Sequence, residues 1–365
     1  MTDLSTFDPA ADAFQQCPFR HYELMRDESP VLEFDGASVG RPGERVFAVS
    51  RYEDVERVLY DWRTFSSRFG SPAAKPSPEL KRRLLEVAEA GWPNVSTMLT
   101  EDPPSHTRYR RLVSKAFTPS RIRGLSPEIE AICQELVAEF DTPAIDFLHG
   151  FAVPLPVRAV AVVLEVPDTR QADFKRWADS SIAAIGRQIT DDDRVGAEHD
   201  IVQQQQYFAA ELQDRIETPR DDFLSALTQA ELNPEDGVEG GPLSMAEMLS
   251  IIRQIQVAGS ETTTGLLCDL MLMLEGQDEA WSRMREDVGF TAQVVEEGLR
   301  IASPNQGLFR ITTADTEIAG VRIPAGSTIW VMFGSANRDE REFLDPDDFT
   351  PDRPNVAGHV AFGKG

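Results

Sequence analysis

Ala258-Gly259-Ser260-Glu261-Thr262-Thr263 sits in the middle of an apolar stretch that runs through Ile251, Ile252, Ile255, Val257, Leu266, Leu267, Leu270, Leu272 and Leu274. The spacing predicts a helix over 244–274, opened by the capping box Ser244-x-x-Glu247 after the Gly/Pro-rich stretch 237–242. Its centre is built against helix propensity: Gly259, Thr262, Thr263, Thr264 and Gly265 together cost roughly 3–4 kcal/mol relative to Ala. Glu261 falls where its neighbours predict burial, and a buried charge is costly unless paired. A helix that carries such a cost has a site to serve. Gly259 thins the helix so that a flat group can approach its backbone. The Thr262 hydroxyl can turn back to the Ala258 carbonyl one turn earlier and loosen the helix. An acid, an alcohol and a trapped water then form a relay able to deliver protons to a reduced oxygen ligand. The alternative is that Ser260 caps a second helix after a break and leaves Glu261 solvated.

Further pieces follow in order. Glu297-Gly298-Leu299-Arg300 precedes Pro304 and Arg310. Asn337-Arg338-Asp339 leads into Phe343-x-Asp345-Pro346-Asp347-x-Phe349 and Arg353-Pro354. Upstream stands Asp102-Pro103-Pro104-Ser105-His106-Thr107-Arg108-Tyr109-Arg110-Arg111-Leu112. Glu-x-x-Arg alone decides nothing, because it recurs at Glu79/Arg82 and Glu217/Arg220, where such a pair is ordinarily a solvated helix contact. Taken in this order, the pieces resemble the cytochrome P450 family, the haem-thiolate monooxygenases, in their soluble bacterial form. The resemblance implies a mainly α fold with small β-hairpin sheets, one domain spanning 1–365, and haem b (iron protoporphyrin IX) as cofactor.

It also implies roles. Glu261 and Thr262 would be catalytic, steering protons to oxygen bound beside Ala258 and Gly259. Glu297, Arg300 and Arg353 would lock together as a structural brace. His106, Arg110, Arg310 and His359 would face the haem propionates, with Phe362 and Gly363 in the haem loop. The final run His359-Val360-Ala361-Phe362-Gly363-Lys364-Gly365 looks like the opening of that loop, whose cysteine ligand is expected about four residues past Gly365. No metal ligand is therefore expected within 1–365, and the chain is read as truncated before it. Cys133 lies in the core-type stripe Ile129, Ile132, Cys133, Leu136, Val137, Phe140; Cys268 is on the oxygen-side helix; Cys17 is in an N-terminal segment rich in Asp, Ala and Gln.

Composition bounds the function. With 36 Lys and Arg against 61 Asp and Glu the formal charge is −25, which argues against nucleic acid as a partner. Three cysteines without a C-x-x-C spacing point to a reducing compartment. The first 16 residues have neither a basic nor an apolar leader region, and the longest apolar stretch is broken by Asp269. The expectation is a cytoplasmic monomer that does not use a membrane. The five histidines form no metal-ligand spacing.

From Pro103 to Pro127 there is no acid, while Arg108, Arg110, Arg111, Lys115, Arg121 and Arg123 all fall inside. By resemblance Arg108, Arg111 and Lys115 would dock an acidic ferredoxin, itself reduced by an NAD(P)H-dependent reductase, unless this is an ordinary solvated helix face. The substrate is expected to be an apolar small molecule, such as a terpene, steroid, fatty acid or macrolide precursor, lined by Met98, Leu99, Leu308 and Phe309; Met98 and Phe309 read equally as core. Two rival readings are a peroxygenase that takes H2O2 directly and a non-catalytic relative acting as a binding or partner protein.

The remaining pattern predicts strands at 31–34 and 45–50, a second pair at 316–323 and 327–333 around the turn Pro324-Ala325-Gly326, and helices at 52–61, 79–90, 105–117, 127–140, 153–165, 170–186, 194–217, 221–231, 278–287 and 291–301.

Overall fold

The computed structural model describes residues 4–69, 76–141, 144–185, 189–231 and 241–364. Residues 237–240 of the Gly/Pro-rich stretch lie outside them. Helices dominate and small sheets complete the fold, as expected. The chain separates into two compact units, Lys75–Thr264 and Met1–Ala74 with Gly265–Gly365.

The discontinuous unit is built on a sheet. Strands β1 (Val31–Asp35), β2 (Arg45–Val49), β3 (Phe65–Ser66), β4 (Leu308–Thr312) and β7 (Thr328–Val331) run in the order β1-β2-β7-β4-β3. β2 and β7 pair in parallel, Val46 opposite Thr328 and Val49 opposite Val331; every other pairing is antiparallel. Both faces of this centre are covered, so Val46–Val49 and Thr328–Val331 read as unbroken buried runs. The two-residue period divides them: Phe47, Val49, Ile329 and Val331 join one core, while Val46, Ala48 and Trp330 join another. The edge strand β1 does not alternate: Val31 and Phe34 are buried on opposite faces, in different cores, while Glu33 and Asp35 are exposed.

One strand pairing differs from expectation. Residues 316–323 do not pair with 327–333 but fold on themselves as a hairpin, β5 (Thr316–Ile318) against β6 (Val321–Ile323). The connection is Ala319-Gly320 with φ of 47° and 80°, the primed two-residue turn that matches strand twist. β7 instead lies between β2 and β4, and β4 was not foreseen as a strand. The expected turn glycine is where it should be, Gly326 at φ 79°.

The continuous unit is helical. Its core gathers Leu112, Phe174, Phe208, Leu212, Leu224 and Ile251 from five helices and Leu164 from the C-terminal cap of another, all fully buried. Two of them, Gln171–Ile185 and Asp191–Glu217, pack along each other. The second starts three residues earlier than its apolar pattern suggests. Thr190 and Asp193 form a capping box there, and Asp191, Asp192 and Asp193 fill the first turn, where the helix dipole favours acids.

The long helix runs unbroken over Met245–Met273, so Ser260 caps nothing. Its start carries the predicted reciprocal cap, the Ser244 amide donating to Glu247 Oε2 at 2.7 Å and the Glu247 amide to Ser244 Oγ at 3.3 Å. Among the described residues no helix is long and apolar enough to cross a membrane.

Candidate active site

Three hydroxyls two residues apart turn back along the long helix. Ser260 Oγ donates to the Gln256 carbonyl at 2.8 Å, Thr262 Oγ1 to Ala258 at 2.7 Å, and Thr264 Oγ1 to Ser260 at 2.9 Å. The Thr262 bond is the one the sequence predicts. Thr264 also donates to the Ala152 carbonyl at 2.9 Å, tying this turn to a neighbouring element. Each back-bond competes with the helix's own ladder, so the loosening is spread over two turns.

Exposure along this stretch is uneven. Ser260 is buried, whereas Ala258 and Glu261 are exposed and Thr262 is partly so. The expected burial of Glu261 is therefore incorrect: the residue stands on the open side of the helix, and its carboxylate meets solvent rather than core. Gly259 has a neighbour that the sequence did not suggest. A Cβ there would come within 2.8 Å of Val160 Cγ2, so the glycine makes room for another helix's valine.

The brace exists in full. Glu297 and Arg300 are completely buried and Arg353 nearly so. Arg300 Nε and Nη2 each donate to Glu297 at 2.8 Å, and Arg353 Nε donates to Glu297 Oε1 at 3.0 Å. The Thr350 amide completes the carboxylate's shell at 3.0 Å. Spare guanidinium donors reach the carbonyls of Asn337 and Pro346 from Arg300, and of Leu344, Asp345 and Asp348 from Arg353. Burial alone would raise the Glu297 pKa, but these donors outweigh it and hold it below the ordinary carboxylate value. No proton is poised for transfer here, which fits a structural role.

The expected propionate partners are placed differently from one another. Arg110 is exposed on the helix Ser105–Ala116 and His106 is half-buried one turn earlier. Arg310 is half-buried in β4, with Nη1 donating to the Phe309 carbonyl at 2.9 Å. His359 is the exception. Its Nε2 lies 3.0 Å from Glu296 Oε2, and its Nδ1 accepts the Ala361 amide at 3.2 Å. Both ring nitrogens thus have partners in this structure, one on the helix Val288–Ala302 and one in the chain two residues on. Phe362 is 79% exposed beside Gly363, whose φ is 72°. Lys364 was missed by sequence reasoning: its Nζ reaches Tyr52 Oη at 2.7 Å and Glu56 Oε1 at 2.8 Å, while Tyr52 Oη donates to the Gly358 carbonyl. Nothing in the local sequence signals a contact across more than 300 positions.

Each of these residues, taken singly, has the chemistry that a flat apolar cofactor carrying carboxylates would need. Ala258 leaves a small exposed face on an otherwise apolar helix, Phe362 offers an uncovered ring, and Arg110 an exposed guanidinium. Of the three cysteines, Cys17 is exposed near the N-terminus, Cys268 lies inside the long helix, and burial pushes the Cys133 thiol up. Among the described residues no group of three or more His, Cys, Asp or Glu side chains could hold a metal ion.

The docking and lining residues need correction. Arg108 does not stand free for a partner, because Nη1 pairs with Glu247 Oε1 at 2.7 Å and Nη2 reaches the carbonyls of Gly241 and Pro242. Its acid-free segment is answered by an acid far along the chain. Tyr109 Oη donates to the same carboxylate at 2.8 Å, and its own pKa is pushed up to about 12 by burial and that charge. Lys115 is exposed, its Nζ bound to the Glu231 carbonyl, and Arg111 is half-buried. Leu308 and Phe309 belong to β4, opposite Val331 and Trp330, and the Phe309 ring packs near Trp330, Phe69 and the Arg41 guanidinium. Sheet packing accounts for both. Met98 packs on the helical core and Leu99 is 49% exposed.

A mainly helical protein with this back-bonded helix and this buried Glu/Arg/Arg brace matches the arrangement that the resemblance implies for the haem-thiolate class. The comparisons give the family. The cytochrome P450 family model matches residues 163–365. Cytochrome P450 107B1 of Saccharopolyspora erythraea is 34% identical over 100% of this chain and 84% of its own length. The 6-deoxyerythronolide B hydroxylase of the same organism is 31% identical over 98% of this chain and 85% of its own. Among solved structures, CYP109Q5 from Chondromyces apiculatus superposes with a TM-score of 0.80 at 33% identity, covering 99% of this chain and 85% of that one. CYP109E1 from Bacillus megaterium, in complex with testosterone, gives 0.76 at 30% identity, covering 95% and 84%. The chain belongs to the cytochrome P450 family.

Proposed function

We propose that the protein is a haem-dependent monooxygenase that hydroxylates an apolar small molecule with O2 and two electrons from a ferredoxin and its NAD(P)H-dependent reductase. The two units act as one cytochrome P450 domain over 1–365, as a cytoplasmic monomer. Haem b would be held by Ala258, Gly259, His106, Arg110, Arg310, Phe362 and Gly363. When bound, that group supplies the iron at which O2 is reduced and one oxygen atom is inserted into a C–H bond.

The observation that carries the reading is the 2.7 Å bond from Thr262 Oγ1 to the Ala258 carbonyl. It fixes where the hydroxyl hydrogen points and leaves the oxygen's lone pairs free to accept from a water or a reduced oxygen species. Exposed Glu261, next in sequence, takes protons from solvent and passes them toward Thr262. The overall balance is one substrate C–H, O2, two electrons and two protons giving one alcohol and one water. Arg111 and Lys115 remain the ferredoxin-docking candidates.

The substrate reading draws on the relatives and on the apolar side chains Met98 and Leu99. One relative is a hydroxylase of 6-deoxyerythronolide B, and CYP109E1 is solved with testosterone and with corticosterone. A rigid, mostly apolar ring system of the steroid or macrolide-precursor kind follows for this chain.

Thr262→Ala in the haem-loaded enzyme tests the relay. NAD(P)H consumption should persist while product per NAD(P)H falls at least about tenfold and peroxide rises in its place. Product per NAD(P)H at the wild-type level would remove Thr262 from the mechanism. A carbon monoxide difference spectrum of the reduced protein, expressed from its own gene, checks the class: without a red-shifted thiolate-type Soret band the monooxygenase reading fails.

A further inference from the structure

Four consecutive glutamines, Gln203–Gln206, sit on the helix Asp191–Glu217. Successive side chains on a helix point about 100° apart, so a run of four fans out around most of the circumference. Each of these amides has a different partner. Gln203 Oε1 accepts Arg176 Nη2 at 2.9 Å. Gln204 donates to Gln256, which donates to the Phe174 carbonyl at 3.1 Å. Gln205 Oε1 accepts the Trp92 amide at 2.9 Å and its Nε2 donates to the Trp92 carbonyl at 3.0 Å. Gln206 Nε2 donates to the Ala90 carbonyl at 3.0 Å.

Two of the four therefore grip one loop, whose Trp92 also packs on the helical core. Among the described residues, 92–96 make no backbone–backbone hydrogen bond. Pro93 has no amide to give, and the further polar holds both come from Ser250, whose Oγ accepts the Val95 amide at 3.0 Å and donates to Asn94 Oδ1 at 3.4 Å. Gly91 is shaped to the grip, because a Cβ there would run into Gln205 Oε1. Beneath the loop lies a small cavity lined by Asn94, Gln204, Gln205, Ser250 and Arg253 and by the apolar Phe208, Leu249 and Ile252. A segment held by a few side-chain hydrogen bonds over a void is one that opens locally.

We propose that Gln205 is the latch of a cooperative unit, Ala90–Val95, whose opening sets the rate at which ligands enter and leave. That this loop borders the substrate chamber rests on the reading above, which puts the neighbouring Met98 and Leu99 there; the hold of Gln205 on the loop does not. Both Trp92 bonds come from one amide, so losing it should raise the open population about tenfold or more.

Hydrogen exchange on the haem-loaded protein tests the latch. In Gln205→Leu the Val95 amide, which Gln205 does not touch, should exchange about tenfold faster together with Trp92. Gly91→Ala, approached from the other side of the contact, should do the same. Gln205→Glu, which keeps the acceptor for the Trp92 amide, should fall between. Stopped-flow binding of 4-phenylimidazole supplies the second readout: on-rate and off-rate should rise by the same factor, leaving Kd within about twofold, as a gate requires. Acceleration confined to Trp92, with Val95 unchanged in both variants, would overturn the latch. Release of Val95 without any change in the probe's rates would keep Gln205 as the hold on this loop but overturn its control of ligand entry, and with it the placing of the loop at the substrate chamber.

Discussion

Glu297 has no solvent contact and three donors aimed at its carboxylate, two guanidiniums and an amide. Taking away its charge leaves Arg300 and Arg353 buried with carbonyls alone, so Glu297→Gln should destabilise by about 3–5 kcal/mol in urea unfolding, as breaking a buried pair does. A loss under about 1 kcal/mol would mean that the carbonyls suffice. Glu247 gives a second residue-scale test. Burial opposes its charged form, yet Arg108, the Ser244 amide and Tyr109 bring its pKa down to about 2 from an ordinary 4.5. The folded value lies below the unfolded one, so the stabilisation is present above pH 4.5 and drains away as pH falls toward 2. It amounts to roughly 2–3 kcal/mol. Acid denaturation of Glu247→Gln should lack that part of the slope; an unchanged profile would contradict the pairing. At this scale the sequence was readable where chemistry is local. Thr262 finds its acceptor four residues back, and Ser244 and Glu247 cap each other. Arg108 was misread because its acid lies 139 positions away, and Glu261 because apolar neighbours along a helix do not say which side faces out.

On the long helix, glycine and valine share one space. Gly259→Ala gains helix propensity but drives its methyl into the stiff, β-branched Val160, and the net should be a loss of about 1–2 kcal/mol. Combining it with Val160→Ala should recover most of that loss, a coupling that denaturant unfolding of the four proteins in the cycle would measure. Simple additivity would show that Gly259 serves something other than this helix pair. Elements were legible in proportion to their periodicity. The helices at 52–60, 105–116 and 245–273 were found within a residue or two, since 3.6-residue patterns and caps mark them. β4 was missed: Leu308–Thr312 is half-buried through four of its five residues, and no alternation shows. The hairpin 316–323 hid its turn at Ala319, a residue with no preference for positive φ, while Gly326 advertised the other.

Across the whole molecule the charge of −25 pushes the chain against itself. Raising ionic strength from about 0.01 to 0.15 M shortens the screening length from roughly 30 to 8 Å. Solvent-facing pairs such as Arg176–Asp200 lose little by it, because such pairs contribute little. Calorimetry should therefore find Tm rising with salt over this range; a fall would mean that the ion pairs outweigh the repulsion. The order of the strands has a further consequence for how the chain is made. The helical unit is one uninterrupted stretch, and it leaves the ribosome before position 265. The sheet cannot close until β7 emerges, because β2 has no inner neighbour without it. The N-terminal strands thus wait through some 280 residues of synthesis, many seconds at about 5–20 residues per second. During that interval β2 is an unguarded apolar edge, so slow translation or a rare-codon stall before Thr328 should recruit chaperones to the first fifty residues rather than to the middle of the protein.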